Sequence, residues 1–351
     1  MGLGVATNIL KTLETSSSIG MFARDTGGCL ISRLGLSRSK DESREISIAE
    51  LSESAMFYFS APILAKATAN IFSKTYNVNK DQFTSPIKDL KNSIDTNTLK
   101  KIKLAKFGQI AMVFGLILPA VFAIAPIRNM VTLSKSGKNQ FTSVVGLENI
   151  KNEEQRKEAK DKSINLFKKL GIVSTATMGA ALGILALSKN KNFYKVAEPL
   201  IDKVVKHLDF TKSGDLKLMH YGALIYPVSI ASYFYASRDK YEVMENIRRF
   251  SITVPLLFWG EKLIQNPIHK FFDKKFGTNV MDKNGIKSYK DILKMPLEQR
   301  NKHLKTKNWA YGLTFFINTM AIAAAVAGLN RFETKRNFEK DNNSQVSKNS
   351  K

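Results

Sequence analysis

Long uncharged runs alternate with strongly basic segments along this chain. The clearest run is 107–126, FGQIAMVFGLILPAVFAIAP, which has no charged side chain and lies between Lys106 and Arg128. A helix rises about 1.5 Å per residue, so this run covers about 30 Å, the thickness of the hydrocarbon core of a bilayer. Basic residues at both ends are typical of a helix anchored among lipid headgroups. The run predicts a transmembrane helix, with a buried helix of a large soluble protein as the alternative.

Further runs have nearly the length and composition of membrane spans. They are 55–72, 170–188, 218–237 and 309–329. The run 55–72 contains Pro62 and Lys66, so an interfacial helix is an alternative to a span there. Gly179 and Gly183 form a small-x-x-x-small pattern, which permits close helix packing in lipid.

The run 250–260, FSITVPLLFWG, is too short to span a bilayer and predicts a re-entrant or interfacial segment. If it does not span, the basic residues gather on one side of a five-span arrangement, as the positive-inside bias requires. We therefore predict an all-α fold, a polytopic membrane helix bundle with basic extramembrane helices. Its parts are a polar N-terminal segment at 1–47, a transmembrane helical domain at 48–330 and a disordered polar tail at 331–351.

Several patterns outside the spans predict local structure. The segment 199–210 has one apolar face, typical of a helix on the membrane surface or packed against another segment. The segment 148–169 is charged nearly all round, which predicts a solvent-exposed helix. The stretch 282–285, DKNG, is a tight-turn signal, and Ser288 with Asp291 has the spacing of a capping box.

Two parts of the sequence align with each other without a gap. In this register the corresponding pairs are Lys88 and Lys290, Lys100 and Lys302, Phe107 and Trp309, and Phe114 and Phe316. Duplicated halves are common in transporters, so the alignment is consistent with an internal repeat. The alternative is that lysine-rich loops before apolar helices resemble one another by chance.

The charge balance bears on the partners. The chain has 54 Lys+Arg against 30 Asp+Glu, a net charge of +24, spread over all the polar connections. A diffuse excess of lysine suits the anionic headgroups of a lipid bilayer better than nucleic acid, which a basic stripe would indicate. We expect a lipid partner, leave a protein partner open, and do not expect nucleic acid. The Lys- and Asn-rich composition favours a bacterial cytoplasmic membrane.

The motifs of common catalytic and metal sites are absent from the sequence. Cys29 is the single cysteine, which excludes an intramolecular disulfide and a cysteine cluster for zinc. No P-loop, GxSxG elbow or HExxH pattern occurs. His269 and Asp273 lie one helical turn apart, and a solvated surface pair is a simpler interpretation than a catalytic pair. We predict no catalytic residue, no cofactor and no metal.

Polar residues inside or next to the apolar runs are the candidate functional positions, because polar groups at membrane depth are costly. They are Lys66, Glu261 and Asn318. Each has a simpler explanation: Lys66 can reach the interface, Glu261 can mark the water boundary, and Asn318 can bridge two helices. The favoured function is a non-enzymatic membrane scaffold or interaction protein. The alternative is a small-solute transporter or channel built from the repeat.

Overall fold

The structure, a computed structural model, describes residues 3–187, 191–210 and 218–349. Helices joined by turns and short loops make up this part of the chain, with one two-stranded hairpin, which confirms the all-α fold. The helices are α1 Leu3–Thr15, α2 Ser17–Asp25, α3 Ser32–Gly35, α4 Lys40–Ser54, α5 Ala61–Thr75, α6 Lys80–Phe83, α7 Ile87–Leu90, α8 Thr96–Ser136, α9 Phe141–Val144, α10 Glu153–Leu187, α11 Lys191–Leu208, α12 Leu218–Ala236, α13 Lys240–Pro255, α14 Glu261–Phe276, α15 Tyr289–Leu293, α16 Leu297–Ala323 and α17 Asn330–Asn349. The strands are β1 Met281–Asp282 and β2 Gly285–Ile286, which pair antiparallel.

Short π-helical turns join several of these helices end to end. They are Thr26–Ile31, Ala55–Ser60, Leu256–Gly260 and Ala324–Leu329. The segment 250–260 therefore lies inside a continuous helix from α13 to α14. Pro62 lies in the first turn of α5, and Pro255 is the last residue of α13. Proline has no backbone N–H to donate, and both prolines lie next to a π-helical turn, where the regular hydrogen bonds of the helix are already interrupted.

The polar tail predicted as disordered is helical as far as Asn349, and its last two residues lie outside the described part of the chain. Asn330, Thr334 and Phe338 are buried along one face of α17. The Asn330 side-chain amide donates to the carbonyl of Glu245 at 3.0 Å, and the Phe338 ring meets Tyr241 edge to face. A few residues at helical spacing thus order a segment whose composition is typical of disorder.

The chain divides into two compact units, each made of separate segments. The first unit is Met1–Glu50, Val145–Leu147 and Asp239–Lys351, and the second is Leu51–Val144 and Glu148–Arg238. Each unit is organised around one long helix, α16 in the first and α8 in the second.

In the second unit, α5, α10, α11 and α12 pack against α8. The apolar face predicted at 199–210 is buried in protein, with Ile201 and Val205 nearly inaccessible and Phe210 stacked on Phe114. Of the two alternatives for that segment, packing against another segment is the one observed. The hydroxyl of Ser232 on α12 donates to the carbonyl of Phe122 on α8 at 2.6 Å.

In the first unit, α1, α2, α14 and α15 pack against α16. A Cβ on Gly28 would lie 2.8 Å from Cγ2 of Ile322, so the absence of a side chain lets the first π-helical turn approach α16. The predicted turn at 282–285 forms the β1–β2 hairpin, and Ser288 and Asp291 form the predicted capping box of α15. Both predictions are confirmed.

The two halves of the chain contain matching elements in the same order. A long interrupted helix, a short helix and a very long helix follow one another as α4–α5, α7 and α8, and again as α13–α14, α15 and α16. Each unit combines elements of both halves. In the second unit α5 packs on α8 of its own half, and α11 and α12 come from the other half. In the first unit α14 packs on α16 of its own half, and α1 and α2 come from the other half.

The same buried ion pair occurs in both units. In the second, the ammonium of Lys106 pairs with Asp209, whose other oxygen accepts the backbone N–H of Ile87 at 2.8 Å. In the first, the ammonium of Lys307 pairs with Glu14 at 2.6 Å, and Glu14 accepts the backbone N–H of Tyr289 at 3.1 Å. Ile87 and Tyr289 are each the first residue of the short helix. The two ion pairs thus share a lysine, a carboxylate and the start of a short helix.

Candidate functional site: the buried polar face of helix α16

Helix α16 buries polar side chains and exposes apolar ones. Its buried residues include a row at intervals of three or four, hereafter the polar face: His303, Lys307, Tyr311, Thr314 and Asn318. Large apolar side chains are exposed on the opposite side: Trp309, Leu313, Phe316, Ile317 and Met320. Residues three or four apart lie above one another on a helix, so these are two distinct faces. A helix in water has the reverse arrangement.

The corresponding face of α8 is apolar. When Lys106 is matched to Lys307, the residues of α8 that correspond to the polar face are Ile102, Lys106, Ile110, Val113 and Ile117, all buried. This register differs by one residue from the sequence alignment that matched Phe107 to Trp309. The lysine is common to both units and belongs to the fold. The four other residues of the polar face have apolar counterparts in α8, where isoleucine and valine fill the corresponding positions.

The ammonium of Lys307 is enclosed by a carboxylate and two aromatic rings. Only 2% of its side chain is exposed, and Nζ lies 2.6 Å from Oε1 of Glu14. It also lies 5.5 Å from the ring centroid of Tyr289 and 5.7 Å from that of Tyr311, within the range of cation–π attraction. The hydroxyl of Tyr289 donates to Asn308 at 3.0 Å. Lys307 is therefore held in one position.

A second ion pair borders the polar face beside Tyr311. Nε of Arg24 lies 2.9 Å from Oε1 of Glu261, and the Arg24 guanidinium is 5.4 Å from the ring centroid of Phe315. Arg24 also shares a side-chain hydrogen bond with Tyr311. Glu261, a candidate from the sequence, is mostly buried with 20% of its side chain exposed. Its role is to pair with Arg24 and not only to mark a water boundary.

Asn318, another candidate from the sequence, connects α16 to the π-helical turn at Leu256–Gly260. Its Nδ2 donates to the carbonyl of Leu256 at 3.2 Å. A π-helical turn disturbs the regular ladder, so this carbonyl gains a side-chain donor. Gly260 lies directly against the amide, and a Cβ there would lie 2.9 Å from Cγ of Asn318 and closer still to its oxygen. The expected bridge between helices is present.

Replacing Gly260 by alanine should displace Asn318 from the π-helical turn. Overpacking in a well-packed interior destabilises by about 1–3 kcal/mol, and the lost hydrogen bond adds about 1 kcal/mol. We expect a lower Tm of the purified protein in a thermal unfolding measurement. Gly35→Ala is the control, because no atom lies within 4 Å of a Cβ at Gly35. Equal Tm values for the two variants would contradict the close approach.

Lys66 is not part of this site. Its side chain is exposed on α5, and it forms no ion pair within the described part of the chain.

His269 and Asp273 are both buried, at 1% and 9% exposure, so the interpretation as a solvated surface pair is wrong. The Asp273 carboxylate accepts the hydroxyl of Thr278 and the backbone N–H groups of Val280 and Met281. It therefore fixes the start of the hairpin and does not orient the histidine. Burial lowers the pKa of His269, and Lys307 acts in the same direction, so the ring is neutral at pH 7. Nδ1 then donates to the carbonyl of Gln265 at 2.8 Å, and Nε2 has no hydrogen-bond partner among the described residues.

One cluster of potential metal ligands occurs among the described residues. Ligand atoms of Asp25, Cys29 and Glu50 lie within 4.8 Å of one another, all buried. However, Oε1 of Glu50 accepts from Arg249 at 2.9 Å and also from Arg33. Burial, together with Asp25 and Glu50, raises the pKa of the Cys29 thiol, so it remains protonated. Because two guanidinium groups pair with Glu50 and the Cys29 thiol is neutral, the cluster is better interpreted as an ion-pair network than as a metal centre.

Sequence reasoning identified Asn318 but missed His303, Tyr311 and Thr314. The signal was their spacing of three and four from Asn318, which becomes visible only when the chain is aligned on the lysines. Among the described residues, two helices are long and apolar enough to cross a membrane, Thr96–Ser136 and the continuous helix Leu297–Ser344. Comparison with protein-family models, curated proteins and solved structures finds no match. Function is therefore inferred from the geometry of the polar face.

Proposed function

We propose that the chain is a multi-pass membrane protein with two duplicated halves, and that the polar face of α16 forms part of a pathway for a small polar or ionic solute. The main support for the pathway is a difference between the two long helices, α8 and α16. The polar face of α16 has an apolar counterpart in α8, although both helices occupy the same place in their units.

The exposed surface of the α16–α17 helix supports insertion into a membrane. Large apolar side chains are exposed from Trp309 to Phe332, a length of about 35 Å at about 1.5 Å per residue. This is close to the thickness of a hydrocarbon core. Exposed basic residues lie beyond both ends, Lys305 on one side and Lys335 on the other. An exposed apolar surface of this length is unfavourable in water and favourable in lipid.

The buried side of the same helix supports a pathway. Buried hydroxyl, amide and charged groups cost free energy unless they are paired, and buried ion pairs are often less stabilising than apolar packing of the same volume. The isoleucines of α8 provide such packing. A row of buried polar residues whose counterparts in the other unit are apolar is the expected feature of a solute or proton route.

The proposal is tested with purified protein in liposomes. Stopped-flow light scattering would follow entry of glycerol, urea, potassium chloride and sodium acetate, and pyranine inside the vesicles would report proton entry. The test variant is Tyr311→Phe with Thr314→Val, which removes two hydroxyl groups between Lys307 and Asn318 and preserves side-chain shape. We expect the native chain to accelerate entry of at least one of these solutes, and the variant to lower that rate at least tenfold.

The control variant is Tyr235→Phe with Thr12→Val, which removes the same groups from exposed positions. It should retain the native rate. Entry no faster than in empty vesicles for every solute would reject the pathway, as would equal rates for the two variants. Release of the protein from membranes by alkaline carbonate would reject membrane insertion itself.

A non-enzymatic membrane scaffold is the second candidate. It is favoured by the first part of α10, which includes Glu153, Glu154, Lys157 and Asp161 as exposed charged residues. Such a helix offers a large polar surface for a partner protein. If the protein resists carbonate extraction but shows no activity in any flux measurement, the scaffold function is favoured over the pathway.

A further inference from the structure

Three lysine side chains converge where α14 ends. The ammonium of Lys275 lies 5.9 Å from the ring centroid of Phe276, and that of Lys305 lies 5.1 Å from the same centroid. The ammonium of Lys302 lies 3.4 Å from the position of a Cβ on Gly277, the next residue along the chain. Two of these lysines come from α16 and one from α14, so the cluster depends on the tertiary fold.

None of the three lysines forms an ion pair with a carboxylate in the described chain. All three side chains are exposed, so their charges are accessible to an external group. Like charges gathered around one ring repel each other, and an external anion would relieve that repulsion. Lysine presents a compact point charge, which suits a phosphate group more than a flat, forked ligand.

The cluster is continuous with the exposed apolar surface of the same helix. Lys302, Lys305, Trp309, Leu313, Phe316 and Met320 follow one another at intervals of three or four, so they share one face of α16. Trp309 is 59% exposed and stacks on Phe272, and the neighbouring Phe271 is 60% exposed. A sequence of lysine, aromatic and aliphatic side chains along a helix face is the pattern of the membrane–water interface.

We infer that Lys275, Lys302 and Lys305 bind the phosphate of an anionic phospholipid headgroup, with Trp309 and Phe271 against the adjoining part of the lipid. The inference rests on the membrane insertion proposed above and adds a lipid class and a binding position. Nucleic acid or soluble phosphate would account for the lysines but not for the neighbouring apolar surface. Lipid explains both the charge and the apolar surface that begins one turn beyond Lys305. The second unit differs at one of the three positions, because Leu104 stands in α8 where α16 has Lys305.

The test uses Trp309 as the reporter, in a Trp259→Phe background so that it is the single tryptophan of the chain. Its fluorescence would be followed while detergent-solubilised protein is titrated with mixed micelles containing phosphatidylglycerol, and separately with phosphatidylcholine. We expect a saturable change with phosphatidylglycerol at a concentration at least tenfold below any change with phosphatidylcholine. Replacing all three lysines by glutamine should abolish that preference.

The matched control replaces Lys283, Lys290 and Lys294 by glutamine. This removes the same charge from exposed positions in the segment between α14 and α16. It should keep the native preference. Equal responses to the two lipids, or equal loss in both triple variants, would overturn the inference. A response to inorganic phosphate at the same concentration as to phosphatidylglycerol would identify a soluble anion as the ligand and also overturn it. Binding in micelles does not depend on solute flux, so this result and the pathway result can differ.

Discussion

Replacing Lys307 by methionine should destabilise the first unit strongly, because Glu14 would lose its partner inside the protein. The Lys307 side chain is 2% exposed and that of Glu14 is 22% exposed, so water can replace little of the lost interaction. Removing one partner of a buried pair costs about 3–5 kcal/mol. The cation–π contacts with Tyr289 and Tyr311 would be lost as well. We expect a Tm lower by about 5–10 °C in detergent, by the usual relation of stability to Tm.

The second substitution in the pair provides the control. In Lys307→Met with Glu14→Gln no unpaired charge remains, and the glutamine oxygen can still accept the N–H of Tyr289. Most of the lost Tm should return, since a neutral replacement of a buried pair is often tolerated. A double variant no more stable than the single one would show that the pair acts through something other than charge compensation.

The similar buried ion pair of the second unit makes a parallel comparison available within the same chain. Lys106→Met should have a similar cost, because Lys106 is equally buried and its partner Asp209 also supports the start of a short helix. The two lysines are thus structural, whereas Tyr311 and Thr314 have apolar counterparts in Ile110 and Val113. Stability and flux are therefore expected to separate: the lysine variants lose folding, and the hydroxyl variants lose flux at a smaller cost in stability, which includes the hydrogen bond between Tyr311 and Arg24.

Much of the local structure could be predicted from the sequence, because it depends on short-range patterns. The uncharged run 107–126 lies in α8, and the turn and capping box at 282–291 are formed as predicted. The π-helical turns were not predictable, since nothing in FSITVPLLFWG distinguishes a widened turn from a break. They are stabilised by distant residues such as Asn318, whose amide reaches Leu256. The order of α17 likewise depends on contacts with α13.

The candidate site was predicted only in part, and for a physical reason. A search for charges in apolar runs finds Lys66 and Glu261, because a single charge is conspicuous there. Threonine, tyrosine and histidine are common in spans, so Thr314 and Tyr311 attract attention only when their burial is known. The decisive information is the contrast between the polar face of α16 and its counterpart in α8. That contrast requires the register of Lys106 with Lys307, which the gap-free sequence alignment missed by one residue.

Replacing Glu50 by glutamine should be comparably damaging, because this one carboxylate compensates two guanidinium groups. Its side chain is 1% exposed, and Oε1 accepts from Arg33 and from Arg249. Glutamine keeps the shape and removes the charge that both guanidinium groups contact. We expect a loss of about 3–5 kcal/mol, measured as a fall in Tm or as loss of folded protein during purification.

Asp41→Asn is the control for Glu50→Gln. Its partner Arg44 is 37% exposed, and pairs in contact with water contribute about 0–1 kcal/mol. The same pair of variants distinguishes an ion-pair network from a metal centre at Asp25, Cys29 and Glu50. In a network, a strong chelator leaves the Tm of the native chain unchanged, and Glu50→Gln lowers it to the same extent with or without chelator. A fall in Tm on chelation that Glu50→Gln abolishes would instead assign these three residues to a bound cation, and the two arginines would then need another explanation.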